Sequence, residues 1–324
     1  MRKQPLFIIF LLVFGLLFPA CSISKVATKF ISNALTKEGS SEVFTSDSDP
    51  LLVGDALPFT IKMYESLLEA NPNHQGLLRM TGSLFVMYAN AFVQQPAEQF
   101  PRHMYAERLA ELDRARRLYL RGVELLYRGL ELKYPAFAKD QAAALAKMKK
   151  DDVTSLYWAA AGGILAYSID PLDVGLGLRI FEFFTLINRA YELDPDYNSG
   201  VLDDFLLLYY ASVPEILGGD RAKADFHFKR ALEKSNGLLA SPYVSYAKAV
   251  SIPAQDYDTF KEYLEAALAI DPDADPPNRL INTVNQQKAR FLLDSAAQFF
   301  ISVGFDDFWD NYDWDDEDWD DENR

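Results

Sequence analysis

Apolar residues recur at helical spacing along nearly the whole chain, from about residue 54 to residue 300. In the clearest stretch the apolar positions fall on one face of a helix. These positions are Tyr257, Phe260, Leu264, Ala267 and Leu268. Alternating polar and apolar runs, which are typical of half-buried strands, are scarce. The pattern therefore predicts an all-α fold.

Three of the predicted helices end in the same way, with an acidic or amide residue followed by proline. The three pairs are Asn71-Pro72, Asp194-Pro195 and Asp271-Pro272. In tetratricopeptide repeats, small residues let paired helices approach, and a proline near the end of each repeat sets the turn to the next one. The small, large, small series Ala224, Phe228 and Ala231 fits the second helix of such a repeat. Since the spacing is irregular, we interpret the chain as a degenerate tetratricopeptide-like helical repeat array, an α-solenoid. An irregular helical bundle is the alternative.

Local signals also mark where helices begin and where they pack closely. Ser or Asp before proline predicts a helix start, because a capping oxygen then precedes a proline in the first turn. The chain has three such pairs: Ser241-Pro242, Asp170-Pro171 and Asp275-Pro276. We interpret Gly162-Gly163 as a close helix contact and Gly218-Gly219 as the lead into a helix capped by Asp220.

The N-terminal residues predict export. A short basic start precedes an apolar stretch over residues 6–18. A helix of that length would span about 20 Å, less than the roughly 30 Å hydrocarbon core of a bilayer. The only cysteine, Cys21, follows Phe18-Pro19-Ala20, which resembles a lipoprotein cleavage signal but departs from it at Phe18 and Pro19. We predict a lipoprotein signal peptide over residues 1–20 and lipid attachment at Cys21. A secreted protein with an incidental cysteine is the alternative.

The segment after Cys21 is predicted to hold the protein near a membrane. Ser22 is not aspartate, so the usual inner-membrane retention signal is missing, and we predict the periplasmic face of the outer membrane in preference to the inner membrane. Residues 21–50 are rich in Ser, Thr, Asp and Gly, which predicts a lipid anchor and flexible tether with one short helix near residues 25–35. The helical repeat domain is predicted over residues 51–303.

Charge is concentrated at the C-terminus. The formal net charge is −15, and residues 306–324 hold eleven acidic residues against one arginine. Three of the four tryptophans, Trp309, Trp314 and Trp319, lie among these acids. We predict that residues 304–324 are a disordered acidic tail. The alternative is that its aromatic residues dock on a partner or on the protein's own surface.

The composition excludes several classes of function. The sequence shows no basic stripe that could neutralise phosphates, which disfavours a nucleic-acid partner, and we predict none. The single cysteine cannot form an intrachain disulfide, so stability must come from apolar packing. In the tail, Asp313, Asp315 and Glu317 imitate a calcium loop, but Asp318 stands where glycine is needed and Arg324 where a bidentate glutamate is needed.

The usual parts of an active site are also missing from the sequence. The three histidines, His74, His103 and His227, are far apart and not in a ligand spacing. The chain has neither a phosphate-binding glycine loop nor a nucleophile elbow. We therefore predict no catalytic residue, no metal site and no cofactor. An envelope hydrolase with a carboxylate site that is not visible in the sequence is the remaining enzymatic alternative.

Several segments together resemble a known family. They are residues 48–59, Tyr88-Ala89-Asn90-Ala91-Phe92-Val93-Gln94, Arg114-Ala115-x-x-Leu118-Tyr119, Leu156-Tyr157-Trp158, Gly218-Gly219-Asp220 and Ser241-Pro242-Tyr243. In this order they resemble the T component associated with tripartite ATP-independent periplasmic (TRAP) transporters, a family of lipid-anchored helical-repeat proteins. The resemblance covers residues from about 49 to 293.

The resemblance implies a non-enzymatic periplasmic accessory protein. Such a protein binds the solute-binding (P) component of the transporter, forms a homo-oligomer such as a trimer, and holds or passes an apolar ligand. A tetratricopeptide-like scaffold lipoprotein for envelope assembly is the alternative function. The candidate ligand-binding or partner-binding residues combine aromatic area with polar ends. They are Tyr88, Asn90, Phe92, Gln94, Tyr119, Tyr157, Trp158 and Tyr243. The alternative is that each of them belongs to the core or to a helix contact.

Overall fold

The structure, a computed structural model, describes residues 21–37, 39–301 and 303. The predicted signal peptide and the acidic tail lie outside these residues. The described part of the chain is helical and contains no β-strand, which confirms the all-α prediction. The helices are α1 (Cys21–Leu35), α2 (Glu42–Thr45), α3 (Pro50–Ala70), α4 (Gln75–Ala89), α5 (Gln95–Glu98), α6 (Tyr105–Lys133), α7 (Gln141–Leu145), α8 (Val153–Ile169), α9 (Val174–Leu193), α10 (Val201–Ser212), α11 (Arg221–Lys234), α12 (Ser241–Tyr246), α13 (Ile252–Ala254), α14 (Tyr257–Ala269) and α15 (Arg279–Asp294).

Two wider turns interrupt this pattern. The first π turn (Asn90–Gln94) joins α4 to α5, and the second π turn (Ala247–Ser251) joins α12 to α13. Short 3-10 turns connect other helices. They are Arg102–Met104, Lys150–Asp152, Tyr197–Gly200, Glu215–Leu217, Pro272–Ala274, Pro276–Asn278 and Ala296–Gln298.

The predicted proline-marked helix ends are confirmed. Helix α3 ends at Ala70, α9 at Leu193 and α14 at Ala269, each two or three residues before its proline. Proline lacks a backbone N–H and its ring clashes with the preceding turn, which favours a helix end at these positions, although α3 accommodates Pro58 in its interior.

The predicted helix starts are correct only in part. Helix α9 begins after Asp173, whose carboxylate accepts the Leu176 N–H at 3.0 Å, whereas Asp170 ends α8. Helix α12 begins at Ser241 itself, so this serine is not the capping residue. Asp220 caps α11 as predicted, accepting the Lys223 N–H at 3.1 Å.

The chain divides into two compact units. The first contains residues up to 42, 51–97 and 105–186, and the second contains residues 43–50, 98–104 and those from 187 onward. The sequence analysis expects one repeat domain over residues 51–303. The repeat arrangement stays a prediction, and the two units are described separately below.

In the first unit, α6 packs against both α4 and α8, and glycines lie where these helices meet. A Cβ atom on Gly82 would lie 2.8 Å from the carbonyl oxygen of Gly122, and one on Gly122 would lie 2.8 Å from that of Gly82. A Cβ atom on Gly162 would lie 2.9 Å from methyl groups of Val86 and Val123. The predicted close packing at Gly162 is therefore confirmed, and it extends to both neighbouring helices.

The end of α1 also packs in the first unit. Ser32 and Thr36 are buried. The Tyr64 hydroxyl donates to the Leu35 carbonyl at 3.2 Å, and Asn33 contacts the ring of His74 at 2.9 Å. Residues 32–36 are thus held against α3 and α4, within the range for which the sequence analysis expects a tether.

The core of the second unit lies between α12, α14 and α15. Phe260, Leu264 and Ala267 are fully buried on one face of α14, as the spacing predicts, while Tyr257 and Leu268 are partly buried at its edges. The side-chain amide of Gln286 on α15 closes the end of α14 by donating to the Ile270 carbonyl at 2.6 Å.

A buried ion-pair network joins α10 to α11 in the same unit. The carboxylate of Asp203 is fully buried and contacts the ammonium of Lys234 at 2.6 Å and the ring of His227 at 2.7 Å. Burial by itself raises the pKa of Asp203, but the hydrogen bonds from His227 and Lys234 outweigh it and hold that pKa below its usual range. Asp203 is therefore a charged group in the folded protein.

We predict that Gly122→Ala lowers the free energy of unfolding by about 1–3 kcal/mol, because the new methyl group must push against the backbone of α4. Gly129→Ala is the matched control in the same helix, since a Cβ atom there would lie 3.5 Å from Leu78 Cβ, an ordinary contact. It should stabilise the protein by about 0.5–1 kcal/mol. Urea unfolding followed by circular dichroism checks both. Equal effects of the two substitutions would contradict the close crossing.

We predict that Asp203→Asn destabilises the protein by about 3–5 kcal/mol, because it leaves the largely buried Lys234 ammonium without its counter-charge. Asp196→Asn is the control, since Asp196 contacts the same lysine at 3.5 Å but its side chain is 79% exposed. It should cost less than about 1 kcal/mol. Because the folded pKa of Asp203 is lowered, its stabilising effect is present above about pH 4 and is lost as pH falls through the folded pKa. The stability difference between wild type and variant should therefore shrink on acidification below about pH 4. A difference independent of pH would contradict this account.

Candidate ligand-binding site

The first π turn sits where α4 ends in the first unit. The Gln95 N–H donates to the Asn90 carbonyl, five residues earlier, which is the hydrogen bond that defines a π turn. The extra residue widens the helix and changes the direction of the side chains that follow. Such turns occur frequently at functional sites.

The hydroxyl of Tyr119 connects the two ends of this turn. Tyr119 lies on α6 and is fully buried. Its hydroxyl donates to the side-chain oxygen of Gln94 at 2.7 Å and accepts from the side-chain amide of Asn90 at 3.2 Å. A buried phenol with both hydrogen-bonding functions satisfied fixes the orientation of both amides.

An aromatic pair lies beside these polar groups. The rings of Tyr88 and Phe92 are stacked, with centroids 6.1 Å apart and an interplanar angle of 25°. The guanidinium of Arg114 donates to the Tyr88 hydroxyl at 3.3 Å and lies 5.9 Å from the centroid of its ring. Phe92 lies so close to α3 that a Cβ atom on Gly54 would be 2.8 Å from its ring.

We call the set Tyr88, Asn90, Phe92, Gln94 and Tyr119 the π-turn site. The structure thus brings together five of the eight candidate residues. Tyr88, Asn90, Phe92 and Gln94 are partly exposed, whereas Tyr119 is buried beneath them. The site offers an aromatic surface, two amides and a phenol, which suit binding by shape and hydrogen bonds.

The other candidates lie elsewhere. Tyr157 and Trp158 are neighbours on α8 and contact each other edge to face, with ring centroids 5.0 Å apart. Tyr243 belongs to the second unit, where its ring lies 5.9 Å from those of Phe228 and Tyr263. Cys21 is the first residue of α1, and its lipid attachment stays a prediction.

Sequence reasoning missed two contributors to the π-turn site, Arg114 and Gly54. Both reach it from other helices, and spacing along the chain gives no signal for such contacts. It also missed that the π turn occurs twice. Tyr88-Ala89-Asn90-Ala91 and Tyr246-Ala247-Lys248-Ala249 each lead into a π turn, and each turn is followed by Pro-Ala. That repetition was visible in the sequence.

A second polar cluster lies inside the second unit. Burial raises the pKa of the Asp204 carboxyl, whose Oδ1 atom has no hydrogen-bond partner in the described part of the chain. Burial also lowers the pKa of Lys288 to about 8, and the Lys248 ammonium adds to this shift. Lys248 itself is paired with Glu98 at 2.7 Å. The sequence did contain a signal for this cluster, because two acids lie within the otherwise apolar run Leu202-Asp203-Asp204-Phe205.

The described part of the chain is thus an all-α protein with aromatic and amide side chains grouped at the first π turn. Among the described residues, no helix combines the length and the apolar character needed to cross a membrane. The chain belongs to the TRAP transporter T-component family, whose model matches residues 46–300, and this confirms the family predicted from the sequence motifs. A similar protein, described only as uncharacterized, occurs in Treponema pallidum (strain Nichols). It is 33% identical over 306 residues, which cover 88% of this chain and 95% of that relative.

We predict that Tyr119→Phe lowers the free energy of unfolding by about 1–3 kcal/mol, since it removes the buried hydroxyl that hydrogen-bonds to the side chains of both Asn90 and Gln94. Tyr105→Phe is the matched control on the same helix, because Tyr105 is 61% exposed. It should change stability by less than about 0.5 kcal/mol. Urea unfolding of both variants measures the difference. Equal stability of the two variants would show that the Tyr119 hydroxyl does not hold the site together.

Proposed function

We propose that this chain is a non-enzymatic, lipid-anchored periplasmic accessory protein that binds the solute-binding component of a TRAP-type transporter. The observation that carries the proposal is the family match over residues 46–300, which includes the whole π-turn site. A TRAP transporter component must act together with the other components of that transporter. Our proposal goes beyond family membership in two respects: contact with the solute-binding component and the holding of a ligand.

The π-turn site supports a role in holding an apolar ligand. Binding pockets for small molecules are mostly apolar, with a few fixed polar groups that set orientation. The Tyr88 and Phe92 rings supply the apolar surface, and Asn90 and Gln94, held by Tyr119, supply the fixed polar groups. A ligand with an apolar body and one polar end would match this arrangement.

Anchoring completes the proposal. Lipid on Cys21 would hold the protein at the periplasmic face of the outer membrane, and self-association as a trimer would place several sites side by side. Tethering two binding partners to one surface raises their effective concentration, so a weak contact with the solute-binding component is sufficient. The segment between Cys21 and the packed residues 32–36 would act as the tether.

We predict that a neighbouring gene encodes a TRAP solute-binding protein, that this protein co-purifies with the mature chain and that a small molecule is retained. Phe92→Ala should reduce the retained molecule at least tenfold, because it removes one ring of the partly exposed aromatic pair. Phe59→Ala is the matched control, since Phe59 is 74% exposed on α3. Native mass spectrometry of the purified proteins measures both ligand and partner. If neither co-purifies with the wild-type protein, the proposed function is wrong, and the envelope-scaffold alternative gains support.

A further inference from the structure

One face of α11 in the second unit combines an exposed aromatic ring with positive charge. Phe226 is 53% exposed. Lys223 and Lys229 lie three residues before and after it, both exposed, so all three share one side of the helix. The guanidinium of Arg230 lies 5.7 Å from the centroid of the Phe226 ring. We call these four residues the α11 basic face.

Nearby acids compensate this face only in part. Within α11, Asp225 is paired with Arg221 at 3.0 Å, and Glu233 is exposed. At the start of the helix, Asp220 lies 3.7 Å from the ammonium of Lys223. The guanidinium of Arg230 lies 3.7 Å from the carboxylate of Asp203 and donates to the Tyr191 hydroxyl at 3.1 Å. Helix α11 holds five Lys or Arg residues against these two acids of its own, in a chain with a formal net charge of −15. An aromatic ring surrounded by cations is therefore an unusual surface for this protein.

The C-terminal tail has the complementary chemistry. Residues 304–324 contain Trp309, Trp314 and Trp319, and acids flank each of them. Arginine and lysine attract both carboxylates and the faces of indole rings. The tail therefore offers the acids and aromatic rings that an exposed Phe226 with its cations can bind.

The chain leaves the described part of the second unit close to the start of α11. The Ile301 N–H donates to the side chain of Gln255 at 3.1 Å, which fixes the last described turn beside α13. Pro253 and Ala254, directly before Gln255, line an open cavity of about 280 Å³. Asp220 and Arg221, at the start of α11, line the same cavity together with the ring of Tyr210. One cavity is thus lined both by the residues that precede Gln255 and by the first residues of α11.

We propose that residues 304–324 dock on the α11 basic face of the same molecule, crossing the cavity beside the second π turn. The tryptophans would pack on Phe226 and on the cavity wall at Tyr210, and the acids would pair with Lys223, Lys229 and Arg230. Helix α11 has 14 residues and is about 21 Å long. The 21 residues of the tail reach up to about 70 Å when extended.

Attachment to the same chain makes a weak contact sufficient. A short connection gives an effective concentration of about 1 mM, so a contact with an intrinsic Kd of about 0.1 mM keeps about nine in ten tails docked. Reversal of two of the cations would weaken such a contact about tenfold, which leaves about half of the tails docked. The contact should also weaken with salt, because the charges are exposed.

Fluorine NMR of the mature full-length protein labelled with 5-fluorotryptophan tests the proposal. The reference is a synthetic peptide of residues 304–324 with the same label. We expect at least one tail tryptophan resonance, assigned by single Trp→Phe substitutions, to differ from the peptide and to return toward it in 1 M NaCl. Lys223→Glu with Lys229→Glu should produce the same return, and Phe226→Ala should produce it without a change of charge.

The matched control reverses two other exposed cations of the second unit, Lys261→Glu with Arg290→Glu, and should leave the resonances unchanged. Thermal unfolding shows that all variants are folded. If the wild-type tail resonances coincide with those of the peptide, the proposal is wrong. The proposal is also wrong if the two double variants shift the tail tryptophan resonances equally, because docking would then depend on net charge alone. A shift that disappears on dilution would place the tail on a second copy and would overturn docking within one molecule.

Discussion

The close crossing of α4 and α6 is the constraint on which the first unit depends. Gly82 and Gly122 face each other, each without the Cβ atom that would strike the other's carbonyl oxygen. Because the two backbones approach this closely, Tyr119, one turn before Gly122, reaches the π turn at the end of α4. Its hydroxyl then lies within hydrogen-bond distance of Asn90 and Gln94. The π-turn site is thus a consequence of helix packing as much as of its own residues.

The second unit is stabilised by a different kind of interaction. Asp203 is fully buried and stays charged because Lys234 and His227 hydrogen-bond to it. A buried ion pair contributes little net stability compared with apolar packing, but the loss of one partner costs several kcal/mol. It therefore fixes how α10 and α11 pack against each other. The second π turn follows in the same unit with the repeated Tyr-Ala-x-Ala sequence, so both units contain this local structure although their stabilising contacts differ.

The sequence predicted the all-α class, the proline-marked helix ends and the close packing at Gly162, because each depends on local chemistry. It also selected five residues that the structure brings together, since four of them lie within seven positions and Tyr119 came from a family motif. It could not place Arg114 or Gly54, which reach the site through the packing of α6 and α3. It assigned the start of α9 to Asp170 rather than Asp173, because two acids precede that helix and only the backbone geometry distinguishes them.

The two proposed binding surfaces, the π-turn site and the α11 basic face, would act through different physical interactions. The π-turn site presents aromatic rings, amides and a phenol, and Arg114 is already paired with Glu111 at 2.8 Å. Contacts made there depend on shape and desolvation, which salt within the physiological range changes little. The α11 basic face presents exposed cations, whose attraction for acids falls as ionic strength rises. Under the two proposals, a rise in ionic strength would release the acidic tail from α11 and leave the occupancy of the π-turn site unchanged, so the two contacts would be controlled separately.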